Sequence, residues 1–248
     1  MTMMIMIADM ITGMGTIMTT DGALYDLLSW MSPAWPIGAF AHSSGLEWAV
    51  EAGWVSDARS AEAWIGDMLA RGAIATDAIL FVHAHRAAAA SDGERLAEVA
   101  ELAVATLTSA ERRVEATAQG AAFRRIARAT AAAPTLALLD PVEDAALSYA
   151  MVAAATMAGH GIALNAALTA FLHGVVANLV SAAQRLVPLG QTDGQRILRA
   201  LRQPVAAAVA HAATLDDGDP FDAIGSATLV ADLACMAHET QYTRLFRT

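Results

Sequence analysis

Lysine is missing altogether: the fifteen basic residues of this 248-residue chain are all arginine. That excludes a P-loop of the form G-x-x-x-x-G-K-[ST], a kinase β3 lysine and a side-chain Schiff base for PLP. Cysteine is nearly missing too. The single Cys235 cannot form an internal disulfide, and no charged-then-apolar leader with a cleavage site precedes the domain. Both point to a reducing cytoplasm. Positive charge is in deficit, with a formal net charge of −10, which argues against a sequence-independent grip on nucleic acid, because phosphate binding needs a basic surface to release counterions. Charged residues make up only 16% and apolar ones 56%, which excludes disorder and allows one large domain with a sizeable core.

What is abundant is alanine, roughly a quarter of the chain. Together with leucine and arginine it favours helix, while β-branched runs alternating with period two are nearly lacking, so the expectation is an all-α, single-domain multi-helix bundle. About nine or ten helices are predicted around an apolar central helix. Residues 1–20 hold seven of the twelve methionines without periodicity and read as a loose leader, 21–236 as the helical domain and 237–248 as a polar tail. The predicted helices are 21–31, one opened at Ser44 and ended by Gly53, one capped by Asp57 or Ser60 with Ala61, Trp64, Ile65, Met68 and Leu69 on its buried side, then 74–90, 94–107, 111–129, the apolar stretch 145–184 broken at Gly159-His160-Gly161, 194–213 and 226–236. Ser44-Gly45-Leu46-Glu47 and Thr108-Ser109-Ala110-Glu111 read as capping boxes, and Asp57 or Ser60 as a further cap. On the helix over 111–129, Arg112, Arg113, Arg124, Arg125 and Arg128 are expected to make a basic outer face. Residues 145–184 carry no charge. Their Gly159-His160-Gly161 break and the Asn165, Thr169, His173 stripe favour a core helix of a soluble bundle over a membrane span.

Near-motifs for catalysis fail on inspection. His238-Glu239-Thr240-Gln241-Tyr242 begins like H-E-x-x-H, but a tyrosine stands where zinc needs the second histidine. Cys235 and His238 can supply half of a soft-metal site, or simply be a buried thiol beside a surface histidine. His83 and His85 face apart on one helix. His160 and His173 read as core histidines bonded to backbone. The acidic loop after Leu215 lacks the twelfth-position glutamate of an EF-hand, and neither G-x-G follows a strand. No catalytic constellation emerges, which shifts weight to binding. Candidate contact groups are Trp35 and Phe40 around a Pro-Ile-Gly turn, with tucking into the core and facing a partner both open. The amide-rich loop from Val187 to Gln195 and the tail Gln241-Tyr242-Thr243-Arg244-Leu245-Phe246-Arg247 complete the set. The tail alternates aromatic or aliphatic anchors with arginine, as interface cores do.

At these same residues the chain resembles the urease accessory protein family UreF. The resemblance rests on three ordered segments: Ser32-Pro33-Ala34-Trp35-Pro36-Ile37-Gly38-Ala39-Phe40 with Ser44-Gly45-Leu46-Glu47-Trp48-Ala49-Val50-Glu51-Ala52-Gly53-Trp54-Val55; Arg185-Leu186-Val187-Pro188-Leu189-Gly190-Gln191; and Ile224-Gly225-Ser226-Ala227-Thr228 with His238-Glu239-Thr240-Gln241-Tyr242 and Arg244-Leu245-Phe246-Arg247. It implies an all-helical, non-enzymatic chaperone acting as a cytoplasmic homodimer, with no cofactor of its own. Such proteins complex with UreD (UreH in some species) and the GTPase UreG to mature the nickel centre of apo-urease and to modulate UreG. Nickel is then handled by the assembly. By the same resemblance Glu47, Arg185 and Gln191 belong to the UreG side, and Tyr242, Arg244, Leu245, Phe246 and Arg247 to the UreD side. The resemblance also carries an alternative, a GTPase-activating protein that supplies a catalytic residue to UreG. Arg185 replaces a lysine of some relatives, which speaks for charge more than for an arginine finger. Direct nickel carriage through Cys235, His238 or other histidines is a third reading.

Overall fold

The structure is a computed structural model that describes residues 20–131 and 133–248. The leader reading for 1–20 therefore falls almost wholly outside the described residues; Thr20 is the exception, its hydroxyl capping the first helix.

Eleven α-helices and four short 3-10 turns make up the described chain, with no strand, as the propensity sum requires. They are α1 (Asp21–Trp30), α2 (Leu46–Glu51), α3 (Ala58–Arg71), α4 (Ala73–Ala89), α5 (Gly93–Ala105), α6 (Ala110–Thr130), α7 (Tyr149–Gly159), α8 (Leu164–Leu186), α9 (Gln191–Ala200), α10 (Arg202–Thr214) and α11 (Leu229–His238). The helix expected over 194–213 is two. Pro204 sits in the first turn of α10, where its missing N–H cannot bond the Ala200 carbonyl and its ring would clash there, so the chain kinks at Leu201.

The apolar centre is α7, in which every residue from Ala150 to Met157 is buried. It lies along α4, itself buried from Ala78 to His85, with α6, α5 and α8 packed around the pair. Alanine makes this possible, because small side chains let two helix axes approach closely at little entropic cost. Gly120 of α6 shows the same demand, since a Cβ there would run into the Leu147 carbonyl. Phe81, Phe123 and Phe171 are fully buried. Their rings continue a ladder from Trp35 through Phe123, Tyr149 and Phe171 to Phe81, with centroids 5.0–5.7 Å apart. Removing one such ring costs about 3–5 kcal/mol.

α8 is long and apolar enough to cross a membrane, yet half of its apolar window is buried against other helices. Its Asn165-Thr169-His173 stripe faces outward. His173 is thus exposed and not a core histidine; His160 does bond a backbone carbonyl, that of Ala131, at 2.8 Å, but it too is exposed and outside the core. His83 and His85 are both buried, and burial lowers both imidazoles below their ordinary range.

Capping follows the expectation at one site and departs from it at two. Asp57 caps α3 by accepting from the Ser60 N–H, and Ser60 reciprocates. α2 instead starts at Gly45 with no side-chain cap, because Ser44 and Glu47 are engaged elsewhere. At α6 the cap is Ser109, accepting from the Arg112 N–H at 3.1 Å, and Glu111 points to the C-terminal segment. The basic face on α6 is also only partial. Arg112 turns inward to Glu115 at 2.9 Å and Asp77 at 3.7 Å, and Arg124 to Asp144 and the Val142 carbonyl, each at 3.0 Å. Arg113, Arg125 and Arg128 remain exposed.

Candidate docking site and the strap that frames it

The C-terminal residues 239–248 return across α2 and α6 as a strap. Glu47, in the first turn of α2, is the anchor. Its carboxylate is buried and accepts from the Leu245 N–H at 2.5 Å, the Phe246 N–H at 2.9 Å and the His238 Nε2 at 2.9 Å. On the other side of the imidazole, Nδ1 lies 2.6 Å from Glu111 Oε2, and Glu111 Oε1 accepts from Arg244 at 2.8 Å. His238 is 0% exposed. It is a buried ring between two carboxylates, not the surface histidine expected.

The strap end is held by main-chain pairing to the segment before α2. Arg247 donates to the Ala41 carbonyl at 2.8 Å, and Ser43 donates through both N–H (2.6 Å) and Oγ (3.0 Å) to the Thr248 main-chain oxygen. Thr248 Oγ1 lies 2.7 Å from His42 Nδ1. Burial, reinforced by Arg247 and Arg112 and opposed by Glu115, lowers the His42 imidazole below its ordinary range. Ser44 takes a left-handed backbone (φ 52°), which costs about 1–3 kcal/mol for a non-glycine residue. The conformation aims its hydroxyl at Glu115 Oε1, 2.8 Å away, where it also receives Arg112. Gly45 (φ 80°) must be glycine twice over, since a Cβ would lie 2.8 Å from both the Cys235 N and Sγ of the crossing α11.

Arg185, near the end of α8, joins this frame. It donates to the Phe40 carbonyl at 2.7 Å, and its exposed guanidinium sits 4.2 Å from the centroid of the buried Phe246 ring, a cation–π contact of about 0.5–1 kcal/mol at an exposed site. Glu47 and Arg185, which the resemblance assigns to one face, thus both grip the tail that it assigns to another. Gln191 stands apart at the start of α9, exposed, with Gln184 Nε2 3.4 Å from its Oε1. The Pro-Ile-Gly turn splits its two aromatics, Trp35 packing on Phe123 and Phe40 remaining 69% exposed.

Outward-facing groups complete the site. Tyr242 is fully exposed and Leu245 largely so, while Arg244 and Arg247 flank them. Next to the strap, Leu229, Val230, Leu233 and Met236 form an exposed apolar stripe on α11. Beneath the 32–41 loop lies a cavity of about 230 Å³ lined by Trp35, Phe171, Tyr149, Asp77, Arg112 and Glu115 among others. Burial pushes the Asp77 carboxyl up to about 6 against the pull of Arg112, with Glu115 adding to the rise. Burial likewise pushes the Cys235 thiol up to about 12, so it stays protonated at neutral pH and metal ligation would first cost that proton. Sequence reasoning placed Glu47, Arg185 and the tail among the contact residues but missed His238, Glu111, Ser43 and Thr248. The sequence marks His238 as the head of a failed zinc motif, as a neighbour of Cys235 and as part of a resembling segment, but not as an anchor of the tail.

An all-helical protein whose buried polar groups are spent on fixing its own terminal segment against a short helix is the class that fold and site define. A family model described as UreF matches residues 55–202. "Urease accessory protein UreF" of Bradyrhizobium sp. (strain BTAi1 / ATCC BAA-1182) is 52% identical over 228 residues, covering 91% of this chain and 92% of that protein. Proteins of the same description from Rhodopseudomonas palustris strains BisB5 and HaA2 are 52% and 50% identical over 229 and 236 residues. They cover 92% and 94% of this chain, and 92% and 97% of their own lengths. The chain belongs to the UreF family of urease accessory proteins.

Proposed function

We propose that this protein is a cytoplasmic nickel-insertion chaperone. It docks UreD (UreH) and the GTPase UreG onto one helical scaffold, performs no catalysis itself, and leaves nickel to the assembled complex. The observation that carries this reading is the strap. Tyr242 and Leu245 project outward from a segment whose main chain is pinned by Glu47, and rigid anchors of this kind make affinity without a large ordering penalty. The α11 stripe extends the apolar area beside them. The reading is tested by Tyr242→Asp with Leu245→Asp: co-purification with UreD and urease activation are lost while the thermal transition is unchanged. Retained co-purification would sink it.

A homodimer is supported by a second surface, where Leu24 and Leu28 of α1 stand exposed beside the Ala166 and Ala170 floor of α8. A ridge adjacent to a groove suits an isologous contact. Leu28→Glu is expected to shift the sedimentation of the purified chain from dimer to monomer.

The GTPase-activating alternative turns on Arg185. Its guanidinium already serves Phe40 and Phe246, which favours a docking and positioning role. UreG turnover measured with wild type and Arg185→Ala separates the two. A finger is worth about 10³–10⁵ in rate, and a much smaller change supports docking. Tight nickel binding by the isolated chain in equilibrium dialysis would revive the carriage reading.

A further inference from the structure

Hydrogen-bond capacity at His238 leads beyond docking. An ionised carboxylate only accepts, and a neutral imidazole carries one N–H and one bare lone pair. Here Nε2 faces Glu47 at 2.9 Å and Nδ1 faces Glu111 at 2.6 Å, in a ring with no solvent exposure. A neutral ring would aim a lone pair at one of two carboxylates, the buried Glu47 or the partly buried Glu111, at contact distances of 2.6–2.9 Å that leave no room for a molecule between them. The charged groups around the ring are Glu47 from α2, Glu111 from α6 and Arg244 from the strap, with Arg112 and Glu115 of α6 in the next layer. Arg244 reaches Glu111 alone, so among the described residues the imidazole of His238 is the one basic side chain that Glu47 meets.

We propose that His238 is a buried imidazolium whose second N–H closes the C-terminal strap, so that closure takes up one proton. The same carboxylate that His238 neutralises, Glu47, holds the Leu245 and Phe246 amides. Loss of the ring proton leaves Glu47 or Glu111 facing a lone pair, and relief comes by letting the strap leave and water enter. The proton therefore governs whether Tyr242 and Leu245 are presented in fixed positions. The mechanism is local, since Cys235 and Ala234, one turn back on α11, stay packed under Gly45.

The test is nitrogen-15 NMR on the full-length chain with labelled histidine. The expected result is two protonated ring nitrogens on His238, with exchange protection of the Leu245 and Phe246 amides, corrected for base catalysis, falling about tenfold per pH unit where the released imidazole is neutral. Glu111→Gln supplies an amide that a neutral ring can meet, so the pH slope flattens while protection persists. A His238 ring with a single N–H in the closed strap overturns the proposal. So does amide protection in wild type that does not change with pH. His238→Gln is a supporting variant, expected to leave the helical spectrum intact and abolish protection at every pH; because the decisive readout is on wild type, a folding failure of that variant would not rescue the idea.

Discussion

Glu47→Gln offers a direct measure of what the anchor contributes. The substitution keeps the shape of the side chain but replaces one acceptor oxygen with an NH₂ donor. Oε1 receives the Leu245 N–H, and Oε2 receives the Phe246 N–H and His238 Nε2, so either orientation of the amide sets donor against donor. One charge-assisted bond is lost, worth about 1.5–3 kcal/mol, and a buried N–H is left unsatisfied at about 1–3 kcal/mol. Removing one partner of a buried ion pair typically costs about 3–5 kcal/mol in total, and 3 kcal/mol is the conservative end. Because about 1.4 kcal/mol corresponds to a factor of ten, exchange of the Leu245 and Phe246 amides should accelerate about a hundredfold. The readout is residue-resolved hydrogen exchange at constant pH, with urea denaturation to separate strap opening from global unfolding. Were Glu47 a solvent-facing contact residue, the variant would fall within about 0.5 kcal/mol of wild type. Exchange at those two amides unchanged within about threefold, on that same energy scale, would refute the reasoning.

Asp77→Asn should stabilise the protein at pH 8 and not at pH 4. The folded carboxyl is raised from 3.8 to about 6, so ionisation costs the native state about 2–3 kcal/mol at high pH. That cost disappears as pH falls through 6 towards the unfolded value, and equal urea midpoints for the two proteins at pH 8 would contradict it. Gly45→Ala, with positive φ and a Cβ 2.8 Å from Cys235, is expected to cost about 2–4 kcal/mol in chemical denaturation. Gly53→Ala shares the positive φ but meets nothing within 4 Å, so about 1 kcal/mol is expected; equal losses at the two sites would show that the α11 crossing is not tight. Phe246→Ala should loosen the strap and remove the Arg185 stacking, visible as faster exchange at Arg247, whereas Phe40→Ala, truncating an exposed ring, should leave melting temperature within a degree or two, about the shift of 0.5 kcal/mol in a chain this size.

Much of the helical plan was legible along the chain because helix propensity and capping act over three or four residues. Asp57 capped as read, and the alanine-rich 145–184 stretch did contain the buried α7. Where local rules failed, a partner distant in sequence outbid the near one. Ser44 and Glu47 had the spacing of a capping box, but Glu115, His238 and the strap amides claimed their oxygens. Arg112 and Arg124 had the periodicity of an exposed face, yet both turn inward, Arg112 to the buried Glu115 one turn along α6 and to Asp77 of α4, and Arg124 to the Val142 carbonyl and Asp144 beyond the end of α6. His173 and His238 exchanged expected environments for the same reason: apolarity of neighbouring residues says which helix is buried and not which of its faces.

Composition and short-range pattern alone determined that this chain is helical, without the lysine-dependent chemistries, and centred on an alanine-rich helix, because those properties are sums over local terms. Only the tertiary structure decided that Glu47, Glu111, His238, Arg244 and Arg185 form one charged frame around the C-terminal segment. Their meeting depends on α2, α6, α8 and α11 converging, with Glu47 and His238 191 residues apart, and the energy of a buried charge depends on what surrounds it in space, which no linear spacing encodes.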